Sequence, residues 1–150
     1  MTYQIEEMPT NRVAYMRRIG TYGAENYALM EKLKTWAKTN GLFTKSAVIL
    51  GIAQDNPKTT PPENCRYDVC IVIQDDFAIE DADINETTMP SGRYAVFTID
   101  HTAEAVQRAW GEIFTQLSAQ GQHPDFSRPV LERYIPAMIE KHLCEICVPV

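Results

Sequence analysis

Met8-Pro9-Thr10-Asn11-Arg12-Val13-Ala14 returns later in the chain as Met89-Pro90-Ser91-Gly92-Arg93-Tyr94-Ala95. A strand-like run follows each copy, Ala14-Tyr15-Met16 or Ala95-Val96-Phe97, and after it come a turn and a helical segment. Self-similarity on this scale marks one supersecondary unit used twice.

Working outward, the first helical segment covers roughly 24–40. Leu29, Leu33, Trp36 and Ala37 form its apolar stripe, Glu31, Lys34 and Lys38 lie off it, and Gly41 stops it. The second covers roughly 103–120, with the stripe Val106, Trp110, Ile113 and Leu117, Thr102 as N-cap and Gly121 as stop. Two strands follow each helix: 47–53 and 67–72 in the first half, 130–134 and 143–148 in the second. The endings align as well, Asp68-Val69-Cys70-Ile71-Val72 against Glu145-Ile146-Cys147-Val148-Pro149. A further strand precedes each Met-Pro turn, at 3–7 and 84–88, and reads as the first arm of a hairpin.

The expected class is therefore α+β, a duplicated strand-strand-helix-strand-strand unit. Its two helices pack on antiparallel sheet with pseudo-twofold symmetry, because each half has an apolar face that it cannot bury alone. The 150 residues suit one domain, 1–150, with internal halves of about 1–74 and 84–150, whereas two separate domains would have marginal cores. The Pro-rich stretch 55–64 and the acidic stretch 75–83 read as loops, the second joining the halves.

A formal net charge of −6 argues against direct nucleic-acid binding, which rests on neutralising phosphates with a basic surface. No apolar run approaches the roughly 18 residues of a membrane span, and the first residues lack a signal-peptide pattern, so a cytoplasmic protein is expected. Cys144-Glu145-Ile146-Cys147 has the spacing of a zinc knuckle but reads as strand, where residues three apart point to opposite faces. Cys65, Cys70, Cys144 and Cys147 are accordingly read as small buried hydrophobes. His101, His123 and His142 form no nucleophile-base pattern. Neither a metal nor a cofactor is expected.

A resemblance rests on segments spread along the whole chain. They are Ile49-Leu50-Gly51-Ile52, Asp55-Asn56-Pro57, Thr60-Pro61, Cys65-Arg66-Tyr67-Asp68, Gly92-Arg93-Tyr94-Ala95-Val96, Pro129-Val130-Leu131-Glu132-Arg133-Tyr134 and the terminal Cys144-Glu145-Ile146-Cys147-Val148-Pro149-Val150. In order and spacing the chain resembles the gyrase-inhibitory-protein-like, or effector-binding-domain, family. Its members are stand-alone proteins or domains attached to AraC-type and MerR-type regulators. The resemblance implies a central groove for small, often cationic or aromatic molecules. It further implies that stand-alone members resemble an inhibitor of DNA gyrase, and that some relatives hydrolyse strained cyclopropane-containing compounds. No DNA-binding segment accompanies it here, so a stand-alone module is expected.

Glu145 is the conspicuous carboxylate, set among Leu143, Cys144, Ile146, Cys147 and Val148. Unpaired burial raises a carboxylate's pKa, and a cationic ligand relieves that cost. The resemblance maps the family's groove carboxylate onto this position; the competing reading is a glutamate on an exposed edge, or one bonded to an arginine such as Arg93 or Arg133. Asp68 is its repeat partner. Tyr22, Tyr94, Phe97, Trp110 and Tyr134 are the aromatic candidates, since aromatic faces beside a carboxylate suit a cation or a flat heterocycle. Three functions follow: binding of a small cationic or aromatic compound, inhibition of DNA gyrase by protein–protein contact, or hydrolysis by Glu145 assisted by Tyr134.

Overall fold

Arg12, Ala14 and Met16 alternate with Val13, Tyr15 and Arg17 along one strand, and both sets contain buried apolar residues. Such a strand must be covered on both faces. In the computed structural model, which describes residues 1–150, two helices cover one face and the curl of the sheet covers the other.

The elements in chain order are β1 (Tyr3–Met8), β2 (Asn11–Ile19), α1 (Ala24–Thr39), β3 (Ile49–Ala53) and β4 (Arg66–Ile73), then β5 (Asn85–Met89), β6 (Gly92–Asp100), α2 (Ala103–Ala119), β7 (Leu131–Tyr134), the single-turn α3 (Pro136–Ile139) and β8 (Leu143–Pro149). All eight strands form one sheet in the order β1-β6-β8-β7-β3-β4-β2-β5. Exchanging the halves reverses this order onto itself, which is the twofold that the duplication predicts. The axis passes between β3 and β7, which pair Ile49 with Tyr134, Leu50 with Arg133 and Gly51 with Glu132.

The opening hairpins are corrected. β1 does not pair with β2; it runs antiparallel to β6 of the other half, while β5 pairs with β2. Pro9 and Pro90 have no N–H to give a ladder, so the chain leaves the sheet at each Met-Pro turn and crosses to the opposite edge. Each half thereby lends its first strand to the other. The mostly exposed β1 and β5 form the outer edges, where polar residues discourage further pairing.

Both helices end alike. Leu42 N–H donates to Ala37 O at 2.8 Å and Gln122 N–H to Leu117 O at 2.9 Å, with Gly41 (φ +69°) and Gly121 (φ +76°) in the left-handed region between. This closure satisfies carbonyls that the last turn leaves open. At its start α2 is capped by Thr102, whose Oγ1 accepts from Ala105 N–H at 3.1 Å.

Three apolar clusters result. Met30, Leu33 and Ala37 of α1 pack on Ala14, Met16, Ile49, Val69 and Ile71; Ala109, Ile113 and Leu117 of α2 pack on Ala95, Phe97, Ile99, Ile146 and Val148. Inside the curl, Val13, Leu50, Ile52, Cys70, Tyr94, Val96, Leu131 and Cys147 form the third. Ile113 has no exposed surface, and Ile113→Ala is expected to cost about 2–5 kcal/mol. The measurement is a urea titration, in which the midpoint falls while the slope is unchanged.

Candidate functional site

Strand β7 lies at the centre of the sheet, and its four residues divide between the two faces. Leu131 joins the cluster inside the curl, and Arg133 follows it there. Glu132 and Tyr134 point to the helix side. Tyr134 packs against both the α1 and the α2 clusters, so it stands on the seam between the two halves.

The Tyr134 hydroxyl donates a hydrogen bond to Glu132 Oε2. Facing Glu132 across the axis is Gly51, its register partner. A Cβ on Gly51 would stand 2.5 Å from Tyr67 Oη and 3.7 Å from Tyr134 Cε2. The missing side chain is what lets the Tyr67 hydroxyl and the Tyr134 ring close over position 51, opposite Glu132. Gly51 pairs with Val69 as Glu132 pairs with Ile146, so glycine and glutamate occupy corresponding places in the two halves. The seam therefore holds one carboxylate, off-centre by composition.

Glu132 has no counter-ion. None of the protein's ion pairs engages it, and burial raises its pKa above the usual carboxylate range, a shift that the Tyr134 hydrogen bond only partly offsets. Burial also pushes the Tyr67 and Tyr134 hydroxyls upward, with the Glu132 charge adding to the effect, so both remain protonated donors at neutral pH. Tyr22 holds Tyr67 from behind, its ring edge-on at 6.2 Å. Its own hydroxyl is occupied, donating to Arg66 O at 2.7 Å and accepting from Asp55 N–H at 3.1 Å. His101 stands at the rim, its ring 5.6 Å from that of Tyr134; desolvation, with Lys34 and His142 nearby, lowers its pKa and keeps it neutral at pH 7.

The sequence-based candidates thus separate into two groups. Tyr134, Tyr22 and Trp110 lie on the helix side, Trp110 half-buried among the α2 cluster; Phe97 is there too but fully buried beneath α2. Glu145, Asp68 and Tyr94 face the interior of the curl. The pairing of Glu145 with Tyr134 is corrected: Glu145 is the register partner of Arg133, so it shares that residue's face and not that of Tyr134. Arg133 Nε donates to Glu145 Oε1 at 2.8 Å, and Arg133 Nη1 to Glu6 Oε2 at 2.7 Å. Asp68 is held likewise, by Arg17 at 2.6 and 2.8 Å and by Gln54 at 3.0 Å. Tyr94 is buried below Arg128, whose guanidinium stands 5.0 Å from the ring. Cys144 belongs to the helix-side cluster and Cys147 to the one inside the curl.

Glu132 was not among the sequence-based candidates, although it shares a strand face with Tyr134, which was. Glycine at position 51 and glutamate at 132, read as repeat counterparts, were the available signal. Gly51→Ala is expected to destabilise the protein while leaving the helical circular dichroism intact, because Tyr67 must shift to admit the Cβ. A urea titration measures it.

With this geometry the class is defined: a duplicated α+β module, helices on one face, with a lone carboxylate at the seam. The family model for the GyrI-like small-molecule binding domain matches residues 1–150. The chain is 47% identical over 152 residues to YosT of Bacillus subtilis (strain 168), an SPbeta prophage-derived protein bearing the name of a transcriptional regulator; the match covers 100% of this chain and 99% of YosT. It is 27% identical over 128 residues to a DNA gyrase inhibitor of Serratia proteamaculans (strain 568), covering 83% and 81% of the two chains. Among solved structures, SAV2435 bound to tetraphenylphosphonium superposes with a TM-score of 0.61 at 18% identity, over 100% of this chain and 94% of that one. The protein belongs to the GyrI-like small-molecule binding domain family.

Proposed function

We propose that the seam is the ligand site of a cytoplasmic binding domain for lipophilic or flat aromatic cations, with Glu132 taking the positive charge. One observation carries this reading: a mostly buried carboxylate, donated to by Tyr134, that no arginine or lysine neutralises. A bound cation relieves the desolvation cost, and the rings of Tyr134 and Tyr67 offer faces to its apolar surface. The tetraphenylphosphonium held by SAV2435 is a compound of this chemistry on the same fold.

The pH dependence tests it. A cation prefers the ionised carboxylate, so affinity falls as pH is lowered through the raised pKa of Glu132. Stability of the free protein runs the other way. A folded-state pKa above the unfolded one gives stability that is fully present below the unfolded value and is lost as pH rises through the folded one. As pH rises through the raised pKa of Glu132, tetraphenylphosphonium affinity is therefore expected to rise while the contribution of Glu132 to stability declines. Titration calorimetry from acid to neutral pH, repeated with Glu132→Gln, isolates the effect; a pH-independent wild-type affinity contradicts it.

The name of the Serratia relative favours a second role, inhibition of DNA gyrase by protein–protein contact. The acidic surface supplies charge suited to a DNA-binding face. Purified protein is expected to reduce gyrase supercoiling with increasing dose, and no change across a wide concentration range ends that reading. If the site instead turns its ligand over, Glu132 and Tyr134 are the residues placed to do so. A hydrolase consumes many equivalents of a strained cyclopropane compound, whereas a binder titrates it stoichiometrically.

A further inference from the structure

The opposite face of the sheet holds a second space. A cavity of about 310 Å³ lies at the mouth of the curl, floored by Leu50, Val72 and Leu131 and flanked by Met8 and Met89 from the two Met-Pro turns. Arg133 reaches it from β7. Its Nε is committed to Glu145, while Nη1 and Nη2 are taken by the Glu6 carboxylate at 2.7 and 3.3 Å. The partners differ in setting. The Arg133 and Glu145 side chains are 12% and 10% exposed, whereas that of Glu6 is 43% exposed on an edge strand.

We infer that this cavity binds an aliphatic carboxylate, with Glu6 holding in the free protein the place that the ligand's carboxylate takes on Arg133. The Arg133 guanidinium has donors enough for two carboxylates, and Glu145 takes its Nε. The second is Glu6, which is the more exposed of the two acids and, on an edge strand, has room to swing into water. An incoming carboxylate restores the same two-nitrogen contact and the same net charge, and adds what Glu6 cannot, a chain lying over Leu50, Leu131 and Val72. Arg133 is suited to this because its planar fork matches a carboxylate. Glu7, the other acid at the mouth, is already paired with Arg93 at 3.1 Å. The volume is at the lower end of ligand cavities, about 300–1,000 Å³, so it admits one medium-length chain and not a multi-ring compound.

The test is isothermal titration with decanoate, below its micelle concentration, against wild type, Glu6→Gln, Met89→Trp and Glu132→Gln. One decanoate per chain is expected. Removing the competing carboxylate in Glu6→Gln should tighten it by about threefold to tenfold. Met89→Trp, which fills the mouth, should abolish saturable binding, and Glu132→Gln should leave it unchanged. Glu6 lies on an edge strand with a partly exposed side chain, and glutamine keeps its shape, so its variant keeps the fold and the direction of its effect is decisive. Weaker binding in Glu6→Gln overturns the inference, as does absence of saturation in both it and the wild type. Retention in Met89→Trp, or loss in Glu132→Gln, overturns it too. So does tighter binding of decyltrimethylammonium than of decanoate, which would assign the cavity to a cation.

Discussion

Glu132→Gln is expected to weaken tetraphenylphosphonium binding by ten- to a hundredfold, with the fold unchanged. The substitution keeps shape and the Tyr134 hydrogen bond while removing the charge. Two unit charges about 6–8 Å apart in a medium of effective dielectric about 20 attract by roughly 2–3 kcal/mol, and each 1.4 kcal/mol is a factor of ten. Neutral glutamine also escapes the desolvation that raises the Glu132 pKa. The free variant should therefore be as stable as the wild type at pH 7, or slightly more so. Lost binding with undiminished stability is the signature of a ligand-serving carboxylate. Glu145→Gln is the contrast: its charge is already taken by Arg133, so the same titration should change by no more than about twofold.

Arg133→Met is expected to give a large loss of stability. Methionine preserves much of the apolar stem but leaves Glu145, 10% exposed, without its cation. Removing one partner of a buried pair costs about 3–5 kcal/mol, and the lower end applies here because neither group is fully dry. For a chain of this length about 3 kcal/mol corresponds to a fall in Tm of roughly 6–12 °C. Glu145→Gln in the same chain should return most of it, since the uncompensated charge is then gone. Glu6→Gln should return little, because Glu6, the more exposed of the two acids, can turn into water once Arg133 is gone. A double-mutant cycle measured by urea denaturation separates these terms. Additive effects of Arg133→Met and Glu145→Gln would show that the pair is not the source of the loss.

The duplication was legible from the Met-Pro copies, and the helices from their apolar stripes and glycine stops, because both are local features. Pairing was less so. That β1 crosses to β6 and β5 to β2 depends on where the chain goes after Pro9 and Pro90, and nothing in Tyr3–Met8 names its partner. The site failed for the same reason. Glu145 stands out in sequence because its neighbours are apolar, but its counter-ion comes from Arg133 on the adjacent strand and a second acid from β1. Glu132 sits between Leu131 and Arg133 in a four-residue strand and reads as an ordinary exposed acid. It becomes unusual only when β7 is placed at the centre of the sheet against β3, with Gly51 opposite and Tyr67 above it. Asp68 and Glu145 correspond in the repeat, yet each has its own arginine; the inequality that matters lies between Gly51 and Glu132.

On the proposed function, the helix-side seam, and not the interior of the curl, receives the cation. A crystal structure of the protein with tetraphenylphosphonium tests it most directly. The prediction is a phosphonium whose nearest carboxylate is Glu132, with phenyl rings against Tyr134 and Tyr67. A ligand lodged inside the curl beside Glu145, with the seam empty, would contradict it.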